Sequence, residues 1–315
     1  LLVSEELIRL LEEKGKFEVF GVRTGAGYTP EFASYFEAER EAIEKFRGDQ
    51  IGIMDAAIRS GLVFENQNVV HNTAPLETAL KLYGINKWAN ENDIDIVLHL
   101  HFNDYSGRRW EQPGKYSGFA IYIPESQFSN SKASRALGEA VARVFLRYLP
   151  ESDLPKEKDM LVEDQELIAI GSGNSLDSAV LLIEYGYIYE TRFTDSELRP
   201  KIMKELAFLT FSGVREFFGE KSESFGGTSL LPHTWSFDLK KKDGGAYVLS
   251  LQAALSFLNL YPPPGFTRGA CPINGNFGPC TEQAVKDFQN QYGIEPAIGY
   301  VGPLTRSKLN ELYSR

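Results

Sequence analysis

The stretch DIDIVLHLHFND, residues 93–104, places two histidines two positions apart at the end of a hydrophobic run. Imidazoles bind metals and carry protons near neutral pH, so where they point decides what they can do. In a strand, side chains alternate between faces. Ile94, Ile96, Leu98, Leu100 and Phe102 then share one face, and Asp95, Val97, His99, His101 and Asn103 share the other. The first face is apolar throughout. The second turns polar toward its C-terminal end, and ligand sites of open α/β sheets collect beyond the carboxyl ends of strands. A pair of satisfied structural histidines would read the same way, so the spacing alone decides nothing. The other candidate is SAVLLIEYGYI (178–188), an apolar strand with one carboxylate in it, Glu184.

These residues need a scaffold to hold them. LLVSEELIRLLEEKGKFEVFGVRT opens on a helical stripe of Leu2, Leu7, Leu10 and Leu11, stops at Gly15 and continues as a strand over 17–22. Residues 31–62 read as one or two amphipathic helices, 64–75 as a loop, 77–93 as a helix, and 118–124 as a short strand. Helices follow over 131–150 and 195–219. Strands alternating with helices predict an α/β fold, a mostly parallel sheet with helices on both faces. Residues 220–245, rich in Ser, Gly and Lys, read as a linker, with His233 in it and no chemical role for that ring. The expected organisation is a front domain over 1–219, this linker, and a small all-α three-helix C-terminal domain over 246–315.

Composition narrows the partners. The 315 residues carry a net charge of −10 and are 43% hydrophobic. Such a chain can bury a real core, and it lacks the basic face that nucleic acid or an anionic membrane surface would need. No apolar run approaches the roughly 20 residues of a membrane span. Oligomeric state is not legible.

The tail repeats itself. GNFGPCTEQAV (275–285) and GYVGPLTRSKL (299–309) share the pattern G-x-[FV]-G-P-x-T-x-x-x-[VL] with a period of 24 residues. Gly and Pro make the turn, and Thr281 or Thr305 can cap the helix that follows. VLSLQAALSFLNLY (248–261) supplies a third helix. With LQAALSFL, GNFGPCTEQAVKDFQNQYGI and GYVGPLTRSKLNEL in order, the last 70 or so residues resemble the small three-helix peptidoglycan-binding domains. The insert YPPPGFTRGACPI departs from that pattern by lengthening the first loop. The resemblance implies peptidoglycan as partner and an extracytoplasmic location: secreted, periplasmic or wall-associated. In such a protein Cys271 and Cys280 suggest one disulfide closing a short loop, with two free thiols as the alternative. CPINGNFGPC has no second Cys or His pair for a zinc knuckle.

With that tail, the front part resembles the zinc-dependent N-acetylmuramoyl-L-alanine amidases. The matching segments are LLVSEELIRLLEEKGKFEVFGVRT, INKWANENDIDIVLHLHFND and VLLIEYGYI, interrupted by a long insert at about 26–75. The resemblance implies Zn²⁺ as cofactor, His101 as a zinc ligand and Glu184 as the catalytic glutamate. Zinc lowers the pKa of bound water from 15.7 to about 7, and a carboxylate beside that water takes its proton and returns it to the departing amine. His99 stands where the family has a small polar residue and is an alternative ligand. Asn103 and His71, the latter inside the insert, are candidates for contacting substrate or the ligands. The family's other two ligands, a histidine and a glutamate, would precede Leu1. The chain is therefore expected to begin within a domain, or else to have lost activity, and to hold zinc weakly by itself. The expected activity is cleavage of the amide between N-acetylmuramic acid and L-alanine. The alternatives are a catalytically inactive wall-binding protein and a zinc peptidase acting on the stem peptide.

Overall fold

The computed structural model describes residues 1–15, 17–65, 74–105, 108–109, 112–171, 174–220 and 230–314. Helix α1 (Leu2–Gly15) buries Val3, Leu7, Leu10 and Leu11, while Leu2 is 50% exposed. The buried stripe thus runs through Val3 where the sequence pointed to Leu2. Residues 17–22 were expected to be a strand and are not: no ladder forms there, and Phe17 and Val19 pack on the core as irregular chain. Strand propensity is expressed only where a neighbour supplies pairing. The chain turns instead through a small antiparallel hairpin, β1 (Arg23–Thr24) and β2 (Gly27–Tyr28).

The insert forms helices α2 (Pro30–Ala38) and α3 (Arg40–Arg59), and α4 (Leu76–Glu91) follows. Thr29 caps α2 through its side chain, with Pro30 at the first helical position. The main sheet has the order β3-β6-β4-β5, built from β3 (Ile96–Asn103), β4 (Ala120–Pro124), β5 (Leu161–Asp164) and β6 (Ala179–Tyr187). The β3–β6 and β4–β5 pairs are parallel and β4–β6 is antiparallel, so the sheet is mostly parallel, as the pattern predicts. Strand β5 had no counterpart in the sequence reading.

Alternation along the strands gives the two faces different partners. Ile121, Ile123, Leu181, Ile183 and Tyr185 meet α1, α5 (Ser131–Phe145) and, after the short α6 (Thr191–Thr194), α7 (Arg199–Phe217). Val97, Tyr122, Val180 and Leu182 meet Leu82 of α4 and the turn at Ile168–Ile170. Helices therefore cover both faces.

The tail consists of α8 (Ala246–Phe257), α9 (Pro279–Gln291) and α10 (Pro303–Tyr313). Thr281 and Thr305 do not cap: Gly278 and Gly302 occupy the cap positions and proline follows each. The threonines lie buried inside the first turn, where Gln252 Nε2 donates to Thr281 Oγ1 and Gln289 Nε2 donates to Thr305 Oγ1, both at 3.0 Å. The same glutamines accept from Gly275 N and Gly299 N, so each repeat closes its turn on a buried amide. Cys271 and Cys280 are joined as a disulfide. Within the segment read as a linker, 230–245 packs on the tail: Leu230, Leu231, Trp235 and Leu239 are buried. Trp235 exchanges backbone hydrogen bonds with the Asn310 side chain, and the His233 ring lies against Trp235 and Tyr247. The tail also docks on the front part. Ser256 Oγ and Arg268 Nη2 donate to Arg147 O at 2.8 and 2.6 Å, and Phe257 packs on Tyr148.

Helices α5 and α7 cross at Gly213, where a Cβ would stand 2.6 Å from the Val141 Cα. Gly213→Val is expected to force the two helices apart and destabilise the chain by about 2 kcal/mol, the usual scale of overpacking. A denaturation midpoint equal to that of the parent chain would contradict this crossing.

Candidate functional site

Parallel pairing of β3 with β6 sets His101 level with Glu184. Both project to the face that carries Val97, Val180 and Leu182, at the carboxyl ends of adjacent strands. His101 Nδ1 is 3.9 Å from Glu184 Oε1. The imidazole is 49% exposed and the carboxylate 14%, so the ring reaches solvent while the carboxylate beside it is largely buried. Two of the sequence-predicted residues thus meet although 82 residues separate them in the chain.

The electrostatics follow from burial. Desolvation, reinforced by nearby Glu157, pushes Glu184 up to about 8. Its Oε2 is buried without a hydrogen-bond partner. Burial likewise holds the His101 imidazole below its usual value, with the positive charge of Arg23 in the β1–β2 hairpin adding to the effect. His99 lies deeper along β3, its ring 6.4 Å from that of His101. Burial, then the His101 charge, pulls it down to about 4, against a hydrogen bond to the Ala169 backbone. It is a neutral ring at working pH with a buried, unpartnered Nε2.

Asn103 serves a different residue. Its amide donates to Glu157 Oε1 at 3.2 Å. Glu157 is 1% exposed and also accepts from the hydroxyls of Tyr122, Ser152 and Tyr187 at 2.6, 2.5 and 3.4 Å. A buried carboxylate is tolerated only when so satisfied. Sequence reasoning missed Glu157 because its donors come from four separate segments and LPKEKDM carries no periodic signal. His71 lies outside the described residues.

The donor set does not complete a catalytic zinc site. Such zinc takes three protein ligands and leaves one position for water. Among the described residues no group of three or more His, Cys, Asp or Glu side chains could hold a metal ion. Among the described residues His101 Nδ1 and Glu184 Oε1 lie 3.9 Å apart, and no third donor joins them.

Comparison with known proteins gives three kinds of finding. Residues 244–309 match the family model described as "Putative peptidoglycan binding domain". A stretch of 80 residues is 38% identical to the zinc D-Ala-D-Ala carboxypeptidase of Streptomyces albus G, covering 25% of this chain and 29% of that enzyme's length. Solved structures with a similar arrangement include the CwlD amidase of Clostridioides difficile, solved with the GerS lipoprotein, at 12% identity and a TM-score of 0.34 over 49% of this chain and 71% of that one. The N-acetylmuramyl-L-alanine amidase Ami1 of Mycobacterium smegmatis matches at 15% identity and a TM-score of 0.33, over 64% of this chain and 82% of its own. What those proteins cut is a property of those proteins. No helix among the described residues is long and apolar enough to cross a membrane. The C-terminal region of this chain is a peptidoglycan-binding domain.

Two measurements check the site. Glu184 binds its proton more tightly folded than unfolded, so its contribution to stability is complete below about 4.5 and is lost as pH rises through about 8. Glu184→Gln should match the parent chain at pH 5 and exceed it at pH 8.5 by an amount of the order of 3 kcal/mol, read by denaturation in metal-free buffer. His99 works in the opposite sense, removing stability as pH falls from 6.5 toward about 4. Zinc added to this chain should be stripped by dialysis against a chelator, and retention of one equivalent would show ligands beyond His101 and Glu184.

Proposed function

We propose that this chain is a peptidoglycan hydrolase of the amidase type, in which residues 1–219 cut the amide between the lactyl group of N-acetylmuramic acid and L-alanine, and residues 246–315 hold the wall. The observation that carries the reading is the pairing of His101 with Glu184 on one sheet face, in a chain that ends in a peptidoglycan-binding domain. The location that fits is extracytoplasmic, where the polymer is and where a Cys271–Cys280 disulfide persists.

Amide cleavage needs a proton removed from water and a proton given to the departing nitrogen. Glu184 is suited to both. Desolvation keeps its pKa close to the working pH, so the loaded and unloaded forms lie close in energy. Its Oε2 is buried without a hydrogen-bond partner, and its Oε1 faces the half-exposed His101 ring at 3.9 Å. His101 stands beside it with an exposed ring edge that can bind substrate or a metal. Zinc, which the amidase resemblance implies, would find one imidazole and one carboxylate at this place. No step is assigned to it on that donor set. A second reading, a wall-binding protein without catalysis, rests on the family match of residues 244–309 alone.

Digestion of purified peptidoglycan by the chain, with mass analysis of the products, separates these readings. The amidase reading expects new L-alanine amino termini on intact sugar strands. Glu184→Gln is expected to slow release at least about 100-fold, while sedimentation with insoluble wall is unchanged. Cuts inside the stem peptide would make the enzyme a peptidase. Absence of any release, with wall binding intact, would leave the binding protein.

A further inference from the structure

Beyond the His101–Glu184 pair, at the ends of the same two strands, the structure holds a chain of tyrosine rings that the hydrolytic chemistry does not use. Tyr105 follows the end of β3, and Tyr187 ends β6 with Tyr189 just beyond. The rings of Tyr105 and Tyr116 lie 4.8 Å apart, edge to face; Tyr116 and Tyr187 are 6.5 Å apart and Tyr187 and Tyr189 5.4 Å. The inner rings are fixed. Tyr187 donates to buried Glu157, whose other donors include Tyr122 and Asn103 on the site face. Gly186, with φ of +142°, breaks the strand alternation and so lets Tyr187 reach that side. The Tyr189 hydroxyl donates to Tyr116 O at 2.8 Å and accepts from Tyr116 N at 3.3 Å, which pins the outer segment.

The outer rings are different. Tyr105 is 39% exposed and Tyr116 is partly exposed. Neither hydroxyl has a hydrogen-bond partner among the described residues, so these rings present both an apolar face and a free polar tip. Lys115 lies 5.1 Å from the Tyr116 ring centre and forms no ion pair among the described residues. A packed structural cluster would bury its rings and satisfy its hydroxyls.

Resting on the hydrolase reading for its substrate, we propose that Tyr105 and Tyr116 form a saccharide platform that seats the glycan side of the substrate beside the His101–Glu184 pair. A pyranose has an apolar face of C–H groups and a rim of hydroxyl and acetamido groups. It matches a rigid aromatic surface edged by free hydroxyls and a cation. The ring chain starts where the pair does: Tyr105 lies four residues past His101, just beyond β3, and Tyr187 three residues past Glu184, at the end of β6.

The test is calorimetric titration of the full chain with the soluble, peptide-free disaccharide N-acetylglucosaminyl-N-acetylmuramic acid. Tyr105→Ala, which removes an exposed ring and so leaves folding intact, is expected to weaken binding several-fold. Tyr105→Ala with Tyr116→Ala is expected to weaken it about tenfold or more. Unchanged affinity in both variants would mean that the sugar sits elsewhere, the tail included, and would overturn the proposal. No binding by the parent chain would overturn it too. So would tighter binding of a sugar-free stem peptide that is lost with the same tyrosines. Hydrolysis is read separately, through Glu184→Gln digestion, so the platform and the hydrolase reading fail independently.

Discussion

The hydrogen-bond register between β3 and β6 is the constraint on which the candidate site depends. Each strand by itself specifies only which face a side chain takes. The parallel ladder adds the height, and it sets His101 opposite Glu184 at the end of the pairing, just before the register shifts between His101 and Asn103. A slip of one residue would send Glu184 to the α5–α7 face, where a carboxylate would have no partner. The apolar run Ala179–Ile183 resists that slip, because Leu181 and Ile183 on one face and Val180 and Leu182 on the other are both buried.

Buried polar groups fix the rest. Glu157 gathers four donors from four parts of the chain and ties β3, β4 and β6 to the segment at Ser152. Gln252 and Gln289 do the same for the tail, each closing a Gly-Pro turn and gripping a threonine of the next helix. A group of this kind stabilises little in net terms, but leaving it unmade is costly, so it selects one arrangement among many compact ones.

The tail docks on the α5 end of the front part, and α5 covers the sheet face opposite to the His101–Glu184 pair. Arg268 brings its positive charge to the carbonyl of Arg147, just past the last turn of α5, where a helix favours cations. The tail and the His101–Glu184 pair thus lie on opposite sides of the sheet.

Period and punctuation alone determined a good deal. The alternation at 93–104 and 178–188 marks two strands and the faces of His101 and Glu184, and the 24-residue repeat marks two of the three tail helices. Local pattern misled at 17–22, where strand-forming residues find no ladder, and at Thr281 and Thr305, where the glycine and proline ahead of them take the cap. It hid Trp235 and Leu239 inside a polar stretch, and it gave no sign of β5. What only the tertiary structure decided is which distant groups meet: His101 with Glu184, Glu157 with its four donors, and Tyr105 with Tyr116. Periodicity is a property of neighbours in the chain and so is written in the sequence, whereas contact between segments is set by strand order and register, which exist only once the sheet has formed.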